Sequence, residues 1–207
     1  MSLESLPGSI AETRSAQRDR TRRLSILRRT LAVGAGALVI ALSAQLVVPV
    51  PFSPVPMTLQ PLAVLAVGGL LGGAAGLGAL VLYLMLGISG LPVFAAGGSG
   101  ILRLIGPTGG YLLAFPIAAW ATGALVSPVL GLGSRLNASV VLRVLLACAL
   151  AMLIIHVGGV AQLALLGLDP SVAFEVGFIP FLTGDLLKVG IAAALILAAG
   201  PKIRSLL

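Results

Sequence analysis

An acid and a base stand three residues apart in the segment FLTGDLLKVG, residues 181–190, which is otherwise largely apolar. Residues at positions i and i+3 of a helix share one face, so Asp185 and Lys188 are predicted to point in the same direction. Such a pair can neutralise itself, or it can offer a carboxylate acceptor and an ammonium donor to a polar ligand. The choice depends on the solvent that surrounds this segment.

The composition indicates that this solvent is a lipid bilayer. Hydrophobic residues make up 58% of the 207 residues, charged residues make up 9%, and the mean hydropathy is +1.15. An ordinary soluble domain has about 25% charged residues. The apolar runs reach roughly 20 residues, which lets a helix cross a hydrocarbon core about 30 Å thick. The sequence therefore predicts an all-α membrane protein, in which a charged residue inside a span indicates a functional site.

Six transmembrane helices are predicted, with both chain termini in the cytoplasm. Basic residues favour the cytoplasmic side, and they cluster before the first span, near Lys202 and Arg204 at the end of the chain, and at Arg135 between the fourth and fifth spans. An even number of spans agrees with this distribution. The predicted spans cover residues 29–48, 60–77, 78–90, 109–130, 139–166 and 178–200.

The net charge of +7 is an orientation signal, and it does not indicate a nucleic-acid partner. Seven of the 13 Lys and Arg residues precede the first apolar run. Residues 1–28 are therefore predicted to be a basic cytoplasmic segment, with a short helix that anionic membrane lipid attracts. Residues 29–207 form the second predicted unit, a six-helix transmembrane domain.

Two connections on the predicted outer side have unusual composition. The first carries prolines at 49, 51, 54 and 56, which stiffen an extended backbone and predict a rigid lid or strand over the bundle. The second, residues 90–111, is rich in glycine yet apolar, and such backbone at membrane depth must be buried in protein or line a cavity. Together with the start of the sixth span, these connections predict a pocket that opens to the outside.

Four motifs occur together in this chain: PVPFSPVPMTLQPLAV, GLPVFA, GPTGGYL and GDLLK. In their order and spacing the chain resembles the BioY family, the biotin-specific S components of energy-coupling factor (ECF) transporters. The resemblance spans roughly residues 30–200. It implies an outward-facing vitamin site in a multi-pass protein of the bacterial cell membrane, coupled to a T component and two cytoplasmic ATPases. The chain has no GxxxxGK[ST] motif, so energy from ATP must come from those partners.

The polar groups of biotin suggest a role for Asp185 and Lys188. It carries a valerate carboxylate that needs a cation, and a ureido ring whose two N–H groups need acceptors. The resemblance therefore implies that Lys188 binds a polar end of biotin, most plausibly the carboxylate, and that Asp185 accepts from a ureido N–H. The alternative is that the two side chains only neutralise each other. Both descriptions can apply, because a pair that waits for a ligand also pairs in its absence.

Five further residues are candidates for the same site. Gln60 offers a donor and an acceptor to the ureido ring, or satisfies loop backbone. Arg103 can hold the carboxylate in a bidentate fashion, or reach towards lipid headgroups. Tyr83 and Tyr111 can stack on the ligand rings, or pack in the core and interfacial belt. Thr108 can bind ligand, or cap the fourth span.

A partner-docking surface is expected on the first span. Ala37 and Ala41 form a small-xxx-small pair that allows close helix approach, and the resemblance implies that such a motif docks the T component. Packing of the two alanines within the bundle is the alternative.

Two other functions are considered. The first is an S component for a different vitamin. The second is a rhomboid-like intramembrane protease that uses Ser99 of GGSG together with His156. The protease is not favoured, because GGSG arises easily in a chain with 27 glycines and follows Pro92 in a loop instead of opening a helix in the membrane. His156 is interpreted as a polar residue that packs between helices. No enzyme activity, cofactor or metal site is predicted, and Cys148 is expected to be a small core residue.

Overall fold

The computed structural model describes residues 6–130 and 136–207, so Arg135 and the first five residues lie outside the described residues. Most of the described chain is helical, and a two-stranded sheet lies between the first two helices. The strands are β1 (Val47–Val48) and β2 (Met57–Thr58). The α-helices are α1 (Leu6–Ser43), α2 (Gln60–Leu71), α3 (Gly73–Ile88), α4 (Leu102–Ile105), α5 (Gly109–Val126), α6 (Ala138–Leu165), α7 (Pro170–Gly177) and α8 (Leu182–Ser205).

Four helical segments of the described chain are long and apolar enough to cross a membrane. α2 and α3 are apolar as well, but they have only 12 and 16 residues. At a rise of 1.5 Å per residue they extend about 18 and 24 Å. The four long segments are Arg14–Ser43, Gly109–Val129, Ala138–Leu165 and Pro170–Ser205.

The second and third apolar helices meet at Gly72, so the predicted boundary between residues 77 and 78 is wrong. Gly72 has φ 88, a left-handed conformation that glycine adopts without the steric cost of a Cβ atom. This one residue separates α2 from α3. The apolar run continues across the turn, and hydropathy therefore gives no sign of its position.

The N-terminal basic segment is not a separate short helix, and this expectation is wrong. α1 is one continuous helix of 38 residues, with no break at residue 28. The chain contains no glycine or proline between Gly8 and Gly34, so nothing in the local sequence interrupts the helix. The basic part of α1 is therefore a direct extension of the first apolar helix.

Small residues let the helices approach one another closely. A Cβ atom on Gly68 of α2 would lie 2.3 Å from the carbonyl oxygen of Ala119 in α5, and one on Gly110 of α5 would lie 2.0 Å from that of Gly158 in α6. Close backbone contact of this kind is how helices associate in membranes, where exclusion of water contributes little. α5 consequently packs against α2, α3 and α6, and α2 also packs against α8.

Ala37 and Ala41 take part in this internal packing. Ala37 is 2% exposed and lies in the hydrophobic core, and the partly buried Ala41 packs against that core. α1 packs against α3 on this side. The alternative, packing within the bundle, therefore applies to Ala37 in this structure, while docking of a T component on this face stays a prediction.

The proline-rich connection contains the predicted strand. β1 and β2 pair antiparallel, with Val47 opposite Thr58 and Val48 opposite Met57. Between the strands, the Ser53 hydroxyl donates to the carbonyl oxygen of Val176 in α7 at 2.8 Å. The connection is therefore tied across the end of the bundle.

The glycine-rich connection is also anchored to the bundle. The Gln45 side chain donates to the Phe94 carbonyl oxygen at 3.3 Å and accepts from the Gly97 N–H at 3.0 Å. The Phe94 side chain is 1% exposed and packs directly on Gly87 of α3. Phe94 is therefore buried in protein, whereas the following Ala96 and Gly97 are exposed.

Substitution of Gly68 by alanine should destabilise the bundle. Its Cβ atom would collide with the Ala119 backbone, which cannot rotate away as a side chain can, so we expect a loss of about 1–3 kcal/mol in unfolding free energy. Gly190→Ala in α8 is the matched control, because no atom lies within 4 Å of that Cβ position. Thermal unfolding in detergent measures both variants. Equal midpoints for the two would contradict the packing described above.

Candidate functional site

One cavity collects most of the predicted site residues. The two anchored connections and helices α2, α5, α6 and α8 supply its walls, and aromatic side chains of Phe94, Phe115 and Phe181 form part of its apolar surface. Six of the seven residues predicted to bind ligand line this cavity: Gln60, Arg103, Thr108, Tyr111, Asp185 and Lys188.

The carboxylate of Asp185 is held from two sides. Lys188 Nζ donates to Asp185 Oδ1 at 2.9 Å, and His156 Nε2 lies 2.6 Å from Asp185 Oδ2. Asp185 and Lys188 are each 5% exposed, and His156 is 6% exposed. Asp185 and Lys188 therefore share one helix face, as the three-residue spacing predicts, and a residue of α6 completes the cluster.

His156 is the site residue that the sequence reading missed. Its ring packs edge-on against Phe178 with centroids 4.8 Å apart, and Nδ1 lies 3.4 Å from the Gly177 carbonyl oxygen. With Nε2 protonated, the ring donates to Asp185 and its orientation is fixed by the aromatic contact. The available signal was its position at mid-span, where a titratable side chain indicates a functional role.

Gln60 is pre-oriented by two neighbours. Its Nε2 donates to the Tyr83 hydroxyl oxygen at 2.8 Å, and its Oε1 accepts from Thr58 Oγ1 at 3.2 Å. Tyr83 itself is fully buried and does not line the cavity. Tyr83 therefore does not reach the cavity in this structure and instead positions Gln60, and its stacking on a ligand stays a prediction.

Tyr111 forms a wall of the cavity and also fixes the chain before α8. Its hydroxyl donates to the Gly177 carbonyl oxygen at 2.6 Å. Its ring lies against Gly159, where a Cβ atom would come within 2.0 Å of the ring carbons. Glycine at this position gives the ring its space between α5 and α6.

Arg103 and Thr108 lie at the exposed side of the cavity. The Thr108 hydroxyl donates to the Arg103 carbonyl oxygen at 3.4 Å and does not cap α5. The guanidinium group of Arg103 packs over Gly98. No hydrogen bond or ion pair joins this guanidinium group to another residue of the described chain, so its donors are available.

The predicted alternative of a Ser99 and His156 protease is wrong. Ser99 is exposed in the glycine-rich connection, whereas the ring nitrogens of His156 face Asp185 and the Gly177 carbonyl. A serine nucleophile needs a base within hydrogen-bond reach.

Within residues 6–130 and 136–207 there is also no cluster of three or more His, Cys, Asp or Glu side chains arranged to hold a metal ion.

The charges and surfaces of the cavity define the ligand that it can hold. Lys188 and Asp185 compensate each other, which leaves the positive charge of Arg103 without a partner among the described residues. The walls are mainly apolar and aromatic, and polar groups are concentrated at the buried end and at Arg103. A small, partly apolar molecule with one anionic group and a second polar end meets these conditions.

A helical membrane protein with an enclosed site of this kind belongs to the class of membrane proteins that bind a small solute. A family model described as the BioY family matches residues 14–205. The chain therefore belongs to the BioY family.

Proteins of this family from several organisms are similar to the chain. A probable biotin transporter BioY of Pyrococcus horikoshii is 37% identical over 150 residues, covering 72% of this chain and 82% of that protein. The biotin transporter BioY of Thermotoga maritima is 36% identical over 148 residues, with the same coverages of 72% and 82%.

One solved structure has the same fold. It is the crystal structure of the S-component for biotin from an ECF-type ABC transporter, with a TM-score of 0.76 and 22% sequence identity. The superposition covers 87% of this chain and 93% of that chain. At this identity the likeness establishes the fold.

Removal of the His156 donor should destabilise the ligand-free protein. His156→Leu leaves Asp185 Oδ2 buried without its partner, at an expected cost of about 1–3 kcal/mol in unfolding free energy. His156→Gln is the matched control, because its amide can still donate near the Nε2 position. Unfolding midpoints in detergent without ligand should decrease more for leucine than for glutamine. An unchanged midpoint for His156→Leu would contradict the role assigned to this bond.

Proposed function

We propose that this chain is a biotin-uptake protein, the substrate-binding S component of an ECF-type transporter, and that it is not an enzyme. The observation that carries the proposal is a single cavity with a hydrogen-bonding buried end, apolar walls and an unpaired cation at its exposed side. Biotin has the matching order of groups: a ureido ring, an apolar thioether ring with an aliphatic chain, and a carboxylate. Relatives named as biotin transporters support this assignment.

The buried end suits the ureido ring. Each oxygen of the Asp185 carboxylate accepts one hydrogen bond and has a second lone pair for a ureido N–H. The Lys188 ammonium group has three N–H donors, of which Asp185 uses one, so another can donate to the ureido carbonyl. Gln60 retains one amide N–H for the same purpose. These groups are already positioned, which reduces the entropic cost of binding.

The exposed side suits the carboxylate, with Arg103 as its partner. Lys188 is already compensated by Asp185, whereas Arg103 has no ion-pair partner in the described chain. A carboxylate close to solvent also loses less hydration than one at the buried end. The geometry thus favours Arg103 over Lys188, the carboxylate partner expected from the sequence.

The proposed setting is the cytoplasmic membrane of a bacterium. α1, α2, α3, α5, α6 and α8 cross it as six spans, with both termini inside, as the basic residues at one end of the bundle favour. α2 and α3 complete their crossings with the ordered connections beside them. A T component and two cytoplasmic ATPases supply the energy, since the similar solved structure is described as part of an ECF-type ABC transporter.

Titration with biotin and with biotin carboxamide tests the orientation of the ligand. Wild-type protein should prefer the acid by roughly tenfold, because the amide removes one charge-assisted hydrogen bond. Arg103→Gln should lose most of this preference. Arg143→Gln is the matched control, since Arg143 is exposed near the other end of α6 and should behave as wild type.

Lys188→Met gives the complementary result. It should weaken the binding of acid and amide alike, by about 1.5–3 kcal/mol or ten to more than one hundredfold, while the preference for the acid persists. If Lys188→Met instead abolishes the preference and Arg103→Gln retains it, the carboxylate binds at the buried end and the proposed orientation is reversed.

A further inference from the structure

A groove with two arginines lies at the opposite end of the bundle from the candidate site. It has a volume of about 590 Å³ and lies between α1, the turn from α2 to α3, and the last turn of α8. No aspartate or glutamate is among the described residues that line it. Those that matter for its chemistry are Arg29, Arg204, Val33, Leu71 and Ala74.

Each of the two guanidinium groups is held in place by a hydrogen bond. Arg29 Nε donates to the Leu207 carbonyl oxygen at 3.2 Å, and Arg204 Nη2 donates to the Gly69 carbonyl oxygen. The Gly69 acceptor is uncharged, and Arg204 forms no ion pair within the described chain. In addition, Arg204 Nε is buried and has no hydrogen-bond partner among the described residues. Arg204 therefore brings to the groove a positive charge that lacks a counter-ion among the described residues.

The start of α3 adds to this positive potential. Its first turn, Gly73–Ala75, lines the groove. The first N–H groups of a helix have no acceptor within their own helix, and the helix dipole favours negative charge at this end. The dipole acts here in support of the two arginines, and it would not define a site without them.

The position of the groove indicates which anion it takes. Arg29 stands where the basic part of α1 gives way to its apolar part, and Val33 and Leu71 continue the groove wall with apolar surface. Exposed Leu31, with 64% of its surface free, lies beside it on α1. A ligand that fits has a phosphate group for the arginines and apolar chains for the adjacent surface.

We propose that this groove binds the phosphate of an anionic phospholipid. Arginine binds phosphate oxygens in a bidentate fashion, and basic pockets between helices on the cytoplasmic side are suited to acidic headgroups. The bound lipid clamps the start of α1 to the end of α8 and neutralises the groove.

Native mass spectrometry of the full chain in detergent tests the proposal. Phosphatidylglycerol and phosphatidylcholine with the same acyl chains are titrated in parallel. Wild-type protein should bind phosphatidylglycerol roughly tenfold more tightly, as expected for charge-assisted hydrogen bonds from arginine. Equal affinity for the two lipids would overturn the proposal. Arg29→Gln should reduce the preference, and an undiminished preference in this variant would count against it.

Two substitutions that each add one carboxylate test whether the lipid preference depends on this groove or on the net charge of the protein. Ala74→Asp puts a carboxylate into the exposed first turn of α3, a position that also favours helix formation. It should abolish the preference for phosphatidylglycerol. Ser139→Asp, in the exposed first turn of α6, is the matched control and should retain it. Equal loss in both variants, or none in Ala74→Asp, would overturn the proposal.

Inorganic phosphate is the other ligand that could offer a phosphate group to this groove. Millimolar inorganic phosphate should not displace phosphatidylglycerol, because the acyl chains contribute to lipid binding. Full displacement, together with an equal rise of the unfolding midpoint in phosphate alone, would show a site for the free ion and overturn the lipid assignment. Unchanged unfolding midpoints of the two aspartate variants without lipid verify that both are folded.

Discussion

A carboxylate that is 5% exposed in an apolar helix bundle must be compensated, and the site depends on this constraint. An isolated buried charge costs far more free energy than most single interactions return. Asp185 meets the requirement with Lys188 on its own helix and His156 on a neighbouring one. The register of α6 against α8 is therefore fixed by polar contacts as well as by packing.

The same cluster links stability to binding. Its hydrogen bonds compensate the buried charges in the ligand-free protein. Both oxygens of Asp185 and the ammonium group of Lys188 can still form further hydrogen bonds. The close glycine contacts beneath it and the anchored connections above it hold these groups in place. In the proposed function, side chains that are already held in this way lose less conformational entropy when the ligand binds.

Much of this site could be predicted because polar residues are rare in the chain. In a sequence with 9% charged residues, Asp185, Lys188 and Arg103 stand out, and their helical or loop context is readable from local patterns. The three-residue spacing alone places Asp185 beside Lys188. Local patterns also predicted the strand in the proline-rich connection and the contact of the glycine-rich one with a cavity.

The remaining features are tertiary, and the sequence gives little sign of them. His156 meets Asp185 across 29 positions, through a helix register that no local pattern encodes. The sequence also gives no sign that Tyr83 lies outside the cavity, where Gln60 lies between its hydroxyl group and the cavity. The burial of Ala37 in the core follows from tertiary packing, and the turn at Gly72 gives no signal within one continuous apolar run.

Calorimetric titration of the purified protein with biotin, thiamine and riboflavin tests the central claim most directly. Thiamine is a cation and would meet the unpaired positive charge of Arg103, and riboflavin lacks the carboxylate that this charge requires. The account predicts that biotin binds and that the other two vitamins do not. Tight binding of thiamine or riboflavin without binding of biotin would contradict it.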